Sequence, residues 1–273
     1  MPPRPAVMRI ALTIAGSDSG GGAGIPADLK TFAALGVHGT SAITCITAQN
    51  PKRVLGVQAC RPELLRQQLK AVFAELPPAA AKCGMLFSAT NVGIVAEFLQ
   101  QRRHRPPLIV DPVMISTSGA RLLRHRALDL LKRRLLPLAT LVTPNVDEAG
   151  ILAGRRLMSV DDLRFAAREI KKRFGCAALV KGGHLTGLSE AADIFFDGKT
   201  ELLLTAPFVW GVRTHGTGCT YSAAITGYLA LGFSLTDAVV KAKEFIANAI
   251  AGHREAGGHS ILNSFWASRL RLR

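Results

Sequence analysis

The sequence predicts an α/β protein with a mostly parallel central sheet flanked by helices, on three observations. Short apolar, β-branched runs alternate with longer amphipathic stretches along the chain. Most of the runs end in glycine or polar residues, the exits a parallel sheet uses for ligands. The 273 residues are 48% hydrophobic, enough to bury the core that such a sheet needs.

Taken in order, residues 10–15 (IALTIA) read as a buried strand and 27–35 as a helix stopped by Gly36. Residues 41–47 (SAITCIT) form a second strand, and 63–76 a helix closed by Pro77 and Pro78. A short strand over 82–85, a helix over 90–103 and a strand over 108–110 follow. Residues 127–136 read as a helix closed by Pro137, and 138–142 as a strand running into Thr143-Pro144-Asn145. The helix over 160–174 opens at Ser159, with Asp161 and Asp162 suiting its first turn. Residues 177–180 form a strand, and 192–196 and 202–204 a hairpin about Asp197-Gly198. Two long helices, 218–231 and 236–251, close the pattern. No linker composition or internal repeat divides it. One domain over 8–268 is expected, after a flexible extension over 1–7.

Composition excludes several classes. The five cysteines (45, 60, 83, 176, 219) are widely spaced, with no C-x-x-C, which argues against a disulfide framework or zinc site. No H-x-x-x-H pair occurs among the seven histidines. The start, MPPRPAVMRI, lacks the apolar stretch of a secretory signal, and the run over 221–233 is too short and interrupted to span a bilayer. A cytoplasmic protein is expected. The net charge of +15 raises a nucleic-acid reading. The basic clusters at 102–105, 132–134, 171–173 and 269–273 are dispersed and carry no interleaved aromatics. Solvated helix ends account for the first three, and no nucleic-acid or membrane partner is expected.

The chemistry-bearing residues sit where strands end. Gly16–Gly24 reads GSDSGGGAG, which is neither a phosphate-binding Walker loop nor a dinucleotide fingerprint, but lets backbone approach a small flat ligand. Asp28 stands at a helix start, as a dipole partner or as an acceptor for a substrate hydroxyl. Gln49 offers a donor and an acceptor side by side, which suits the edge of an aminopyrimidine. Asn145 and Glu148 are either a helix capping box or a phosphate contact with a carboxylate holding water on Mg²⁺, and Asp111 can add charge nearby. Lys181 can neutralise nucleotide phosphates. Thr214 and the amides of Gly216–Gly218 can stabilise a transferring phosphoryl group. Cys219 at this helix start would have its thiol pKa lowered, or it is a small core residue.

In order, AGSDSGGGAG, ADLKTFAALGVHG, ITAQN, KCGML, VDPVM, TPNVDEA, VKGGH and THGTGCTYSAA resemble the hydroxymethylpyrimidine and phosphomethylpyrimidine kinases of thiamine biosynthesis, over about residues 8–252. The resemblance implies a ribokinase-like three-layer fold without a large lid domain, ATP and Mg²⁺ as cofactors, a homodimer, and two successive phosphorylations of one pyrimidine. By position it implies a pyrimidine pocket of Gly16, Ala23, Asp28, Gln49, Met85 and Val113. It implies nucleotide contacts from Asp111, Asn145, Lys181 and Thr214, and Glu148 holding magnesium through water, with Asp111 beside it. Gly216, Gly218 and Cys219 would form an anion hole and acid/base position, with Lys181 also catalytic. Pro26 and Pro51 depart from the family pattern, at positions where glutamine and threonine are usual. The rivals are a pyridoxal kinase and a basic nucleic-acid-binding or regulatory protein on a kinase scaffold. The segments 20–24 and 115–122 are the expected mobile loops.

Overall fold

A computed structural model describes residues 7–114, 125–183, 185, 189–209, 212 and 215–267. The chain runs β1 (Ile10–Asp18), α1 (Gly24–Ala34), β2 (His38–Gln49), β3 (Val54–Ala59), α2 (Pro62–Glu75), β4 (Ala80–Cys83), α3 (Ala89–Gln100), β5 (Leu108–Val110) and α4 (His125–Leu130). It continues through β6 (Leu141–Val142), α5 (Val146–Ala153), α6 (Val160–Phe174), β7 (Ala177–Lys181), β8 (Glu190–Phe196) and β9 (Glu201–Pro207). Helices α7 (Thr217–Ala230) and α8 (Leu235–Ala251) and a small hairpin, β10 (Arg254–Ala256) and β11 (His259–Ile261), complete it.

The nine-stranded sheet has the order β3-β2-β1-β4-β5-β6-β7-β8-β9. All pairings from β2 to β7 are parallel. The edges are antiparallel: β3 folds back on β2, and β8 and β9 form the expected hairpin, where Asp197 accepts from the Lys199 and Thr200 amides. Alternate residues of each strand face opposite layers. Leu108, Val110, Val142, Ala178 and Val180 pack with α2, α3 and α6, whereas Ile109, Leu141, Ala177 and Leu179 pack with α7 and α8. Helix α1 joins the α7 side through Phe32, which packs with Ala11, Val37, Ala80 and Ala223.

Several elements differ from expectation for local reasons. Strand β1 extends to Asp18, because a register shift sets Thr44 and Cys45 of β2 against the single residue Gly16 and lets pairing resume at Ser17. Strand β3 was not anticipated; its six residues are interrupted by Gly56 and mostly exposed. The expected 127–136 helix is an α-turn pair that widens into a π turn, Leu131–Leu135, and tightens into a 3₁₀ turn, Leu136–Leu138. Pro137 has no N–H to continue the α ladder. The 115–122 segment, the basic 269–273 tail and all but residue 7 of the 1–7 extension lie outside the described residues.

The strand order sets the ligand position. The chain passes from β1 to β2 on one side and later to β4 on the other, so the connections leaving β1 and β4 diverge. A crevice opens there, at the carboxyl ends of the strands. Phe32, fully buried between the sheet and α7, ties α1 to the opposite ends of the same strands, at Ala11 and Ala80. Phe32→Ala should lower stability by about 3–5 kcal/mol, read as a shift in urea midpoint without a change in slope.

Candidate active site

The crevice holds a cavity of about 690 Å³. Gly16, Ala23, Asp28, Gln49, Met85, Val113, Asp111, Asn145, Glu148, Lys181, Gly216, Gly218 and Cys219 all border it. Thr214 lies outside the described residues. Residues spread over two hundred positions of sequence thus meet at one place, because each ends a parallel strand or begins the helix facing those ends.

The start of α7 divides the cavity. Its N-cap, Gly216, has φ of 85°, and a Cβ there would overlap the Gly22 carbonyl oxygen. The glycine turn after β1 and the helix start therefore meet backbone to backbone, which only glycine allows. The turn itself is pinned. Asp18 accepts from the Gly20 amide at 2.8 Å and the Ala23 amide at 2.9 Å, and lies 3.1 Å from His215 Nε2. Burial opposes the charge of Asp18, yet the His215 hydrogen bond and these two amides outweigh it and hold the carboxyl below its ordinary value.

On the far side of α7, Lys181 at the end of β7 pairs with Asp111 at 3.2 Å. A Cβ at Gly218 would come within 3.1 Å of Lys181 Nζ, so this pair lies directly against the first helical turn. Burial pulls the Lys181 ammonium down, but the Asp111 and Glu148 carboxylates raise it overall, so it stays cationic. Burial pushes Glu148 up, against the pull of Lys181, and Asp111 adds to the rise. The structure forms the capping box that the sequence allowed: Asn145 accepts from the Glu148 amide at 2.9 Å, and Glu148 accepts from the Asn145 amide at 3.0 Å. The other Glu148 oxygen accepts from the Met114 amide at 2.9 Å. That bond holds the turn in which Val113 adopts φ of 38°, a strained value for a β-branched residue.

Two expectations are corrected. Asp28 is not an open acceptor. It is 0% exposed, with Oδ1 accepting from Lys82 Nζ at 2.7 Å and Oδ2 from Thr13 Oγ1 at 2.6 Å. Burial pushes Asp28 up against the pull of Lys82; burial likewise works against the Lys82 ammonium, but Asp28 leaves it raised overall. Two donors on one carboxylate at these distances describe an ionised pair. The Lys82 ammonium also donates to the Cys219 carbonyl at 3.3 Å. Nor is Cys219 a resting thiolate. Burial pushes its thiol up to about 11, and the nearby Lys82 ammonium only partly offsets this. The helix-start field is present, but desolvation of the anion is the larger effect.

Residues 18–263 match the phosphomethylpyrimidine kinase family. The chain belongs to that family. It is 49% identical over 244 residues to a hydroxymethylpyrimidine/phosphomethylpyrimidine kinase of Rhizobium meliloti, covering 89% of this chain and 90% of that one. It is 44% identical to the thiamine biosynthesis bifunctional protein ThiED of Geobacter sulfurreducens over 94% of its own length, and spans 52% of that longer protein. Among solved structures, the phosphomethylpyrimidine kinase of Clostridium difficile superposes with a TM-score of 0.79 at 43% identity, covering 89% of this chain and 99% of that one. The pyridoxal kinase of Staphylococcus aureus, in complex with AMP-PCP and pyridoxal, superposes with a TM-score of 0.88 at 33% identity, covering 97% and 96%. The fold is ribokinase-like, and the chain is a kinase of the phosphomethylpyrimidine family.

Sequence reasoning passed over three residues of this kinase site. Lys82 is a lone cation in an apolar strand, AAKC, a pattern that itself signals a buried partner. Asp18 and His215 were visible inside the two glycine motifs, but only the glycines were weighed there. Lys82→Met alone should destabilise by about 3–5 kcal/mol, because it leaves Asp28 buried and uncompensated, whereas Lys82→Met with Asp28→Asn should recover much of that loss in chemical denaturation. Peptide-resolved alkylation should find Cys219 slow near pH 7 and faster as pH rises toward about 11, since the reactive thiolate forms only there.

Proposed function

We propose that this chain phosphorylates 4-amino-5-hydroxymethyl-2-methylpyrimidine on its hydroxymethyl oxygen, and then converts the monophosphate to the pyrophosphate, in thiamine biosynthesis. The observation that carries the reading is the meeting, in one cavity, of the Gln49 wall and the Lys181–Asp111 pair on either side of the α7 start. In the first step the hydroxymethyl oxygen forms a bond to the γ-phosphorus of ATP, its proton leaves to solvent and the bond to the ADP oxygen breaks. In the second step the attacking atom is a phosphate oxygen, already anionic.

Gly16, Ala23, Met85 and Val113 would enclose the ring, and Gln49 would pair with its amino group and ring nitrogen. Asp28 would act through Lys82, fixing the floor. The amides of Gly216, Gly218 and Cys219 would hold the transferring phosphoryl group, and Lys181 would neutralise its charge. With its thiol protonated, Cys219 contributes chiefly its backbone amide. Asn145 and Thr214 would contact the nucleotide. Magnesium suits this donor set: Asp111 and Glu148 are two acidic groups facing the same cation, and Mg²⁺ keeps most of its waters, so one or two carboxylates suffice. When bound, the ion would screen the nucleotide phosphates. Among the described residues no helix is long and apolar enough to cross a membrane. We take a cytoplasmic homodimer with one kinase domain over 8–268 as part of the same reading.

Pyridoxal phosphorylation is the second reading, favoured by the higher TM-score of the Staphylococcus aureus pyridoxal kinase. ATP consumption with Mg²⁺ and either hydroxymethylpyrimidine, its monophosphate or pyridoxal separates the two. Turnover of both pyrimidines, with pyridoxal far slower, is expected; turnover of pyridoxal alone would overturn the proposal. Lys181→Met should lower kcat for both pyrimidine steps by about 10²-fold or more, with the circular dichroism spectrum unchanged.

A further inference from the structure

Gln49, His215, Asp18 and Thr47 form one hydrogen-bonded chain along the wall of the pyrimidine half. Gln49 Nε2 faces His215 Nε2 at 2.9 Å, and Gln49 Oε1 faces Thr47 Oγ1 at 3.3 Å. At one end of the chain His215 Nε2 lies 3.1 Å from Asp18 Oδ2. At the other, Thr47 Oγ1 lies 3.0 Å from the Ser17 carbonyl oxygen. Both ends are acceptors only.

Counting hydrogens along the chain gives the direction of every bond. Asp18 is a carboxylate, held so by two backbone amides, so the proton between it and His215 sits on Nε2. Protonated, Nε2 has no lone pair left to accept from Gln49, so it can meet Gln49 only by sharing its one hydrogen between Asp18 and the amide. Thr47 has one hydroxyl hydrogen, and the Ser17 carbonyl takes it, so Thr47 meets Gln49 as an acceptor. From both ends the same answer follows. The amide must turn its carbonyl to His215 and its NH₂ to Thr47, a half-turn about its last torsion that exchanges oxygen and nitrogen but moves neither position.

We infer that the Asp18–His215 pair fixes the direction of the Gln49 amide, making His215 a specificity-determining positioning residue of the pyrimidine pocket. The inference deepens the proposed function and rests on it for the identity of the ligand. Locked this way, Gln49 has one N–H and one carbonyl lone pair left, in a fixed order. An aminopyrimidine edge, with an amine donor beside a ring-nitrogen acceptor, matches that order in one orientation only. A hydroxyl beside a ring is less exacting, since it both donates and accepts. Without His215 the amide is free to turn, and pyrimidine binding loses more than pyridine binding.

Two measurements test this. In the unliganded wild-type protein, a long-range ¹H–¹⁵N spectrum of labelled histidines, assigned with a His215 variant, should show His215 protonated at Nε2. This readout needs no substrate. In His215→Ala, KM for hydroxymethylpyrimidine should rise about tenfold with a smaller fall in kcat, and the preference over pyridoxal should shrink. A neutral Nδ1–H tautomer, or an unchanged pyrimidine KM in the variant, would overturn the inference. A wild-type protein that ignores the pyrimidines would instead overturn the proposed function and leave the tautomer result to judge the orientation of Gln49.

Discussion

The site rests on one buried ion pair. Lys82 and Asp28 are both 0% exposed and sit beneath the crevice at the strand-order reversal. Through Thr13 and the Cys219 carbonyl, the pair joins β1, α1, β4 and α7. Apolar packing tolerates small slips between elements, because it is not directional. A desolvated charge pair is less forgiving: any slip that opens it leaves a charge in low dielectric. The elements that carry the glycine turn and the helix start are thus held in one mutual arrangement beneath a cavity that must itself stay unfilled by side chains.

Above this floor the two halves of the cavity use opposite electrostatic designs. The half lined by Gln49 is built from neutral or internally compensated polar groups, with Asp18 satisfied by backbone amides and His215. Such a wall reads hydrogen-bond order. The half around β7 gathers Lys181 with Asp111 and Glu148, a cation shared between two anions. That arrangement keeps Lys181 charged in a buried place, at the helix start where a phosphoryl group would pass. The phosphomethylpyrimidine kinase and the pyridoxal kinase that superpose on this chain share its fold, so under the proposed function substrate choice would fall to the first half.

Much of this could be read from the chain alone, and what could not has identifiable causes. The parallel core followed from apolar runs and their polar exits, and helix α6 was placed to the residue with Ser159 as its opening signal; the structure caps it there and stops it at the left-handed Gly175. Strand β3 and the β10–β11 hairpin were missed because they are short and little buried, with little apolar periodicity to detect. Nearly all the family-matched site residues share the cavity, since motifs mark strand ends and topology gathers strand ends. What motifs do not carry is burial. Asp28 looked like an acceptor until Lys82 closed over it, and Cys219 looked like a thiolate until desolvation was set against the helix field.

The contacts that complete the cavity also have a consequence in time. His215 meets Asp18 across 197 positions of sequence, and the Cys219 carbonyl meets Lys82 across 137. Closing such long loops is entropically slow, and the reward comes only once the distant partner arrives. While the chain is being made, the first four strands can pair and bury Lys82 against Asp28, but the glycine turn has no helix start to lean on until α7 emerges. Binding competence is therefore a late event in the folding of this kinase, acquired with its last third rather than with its core.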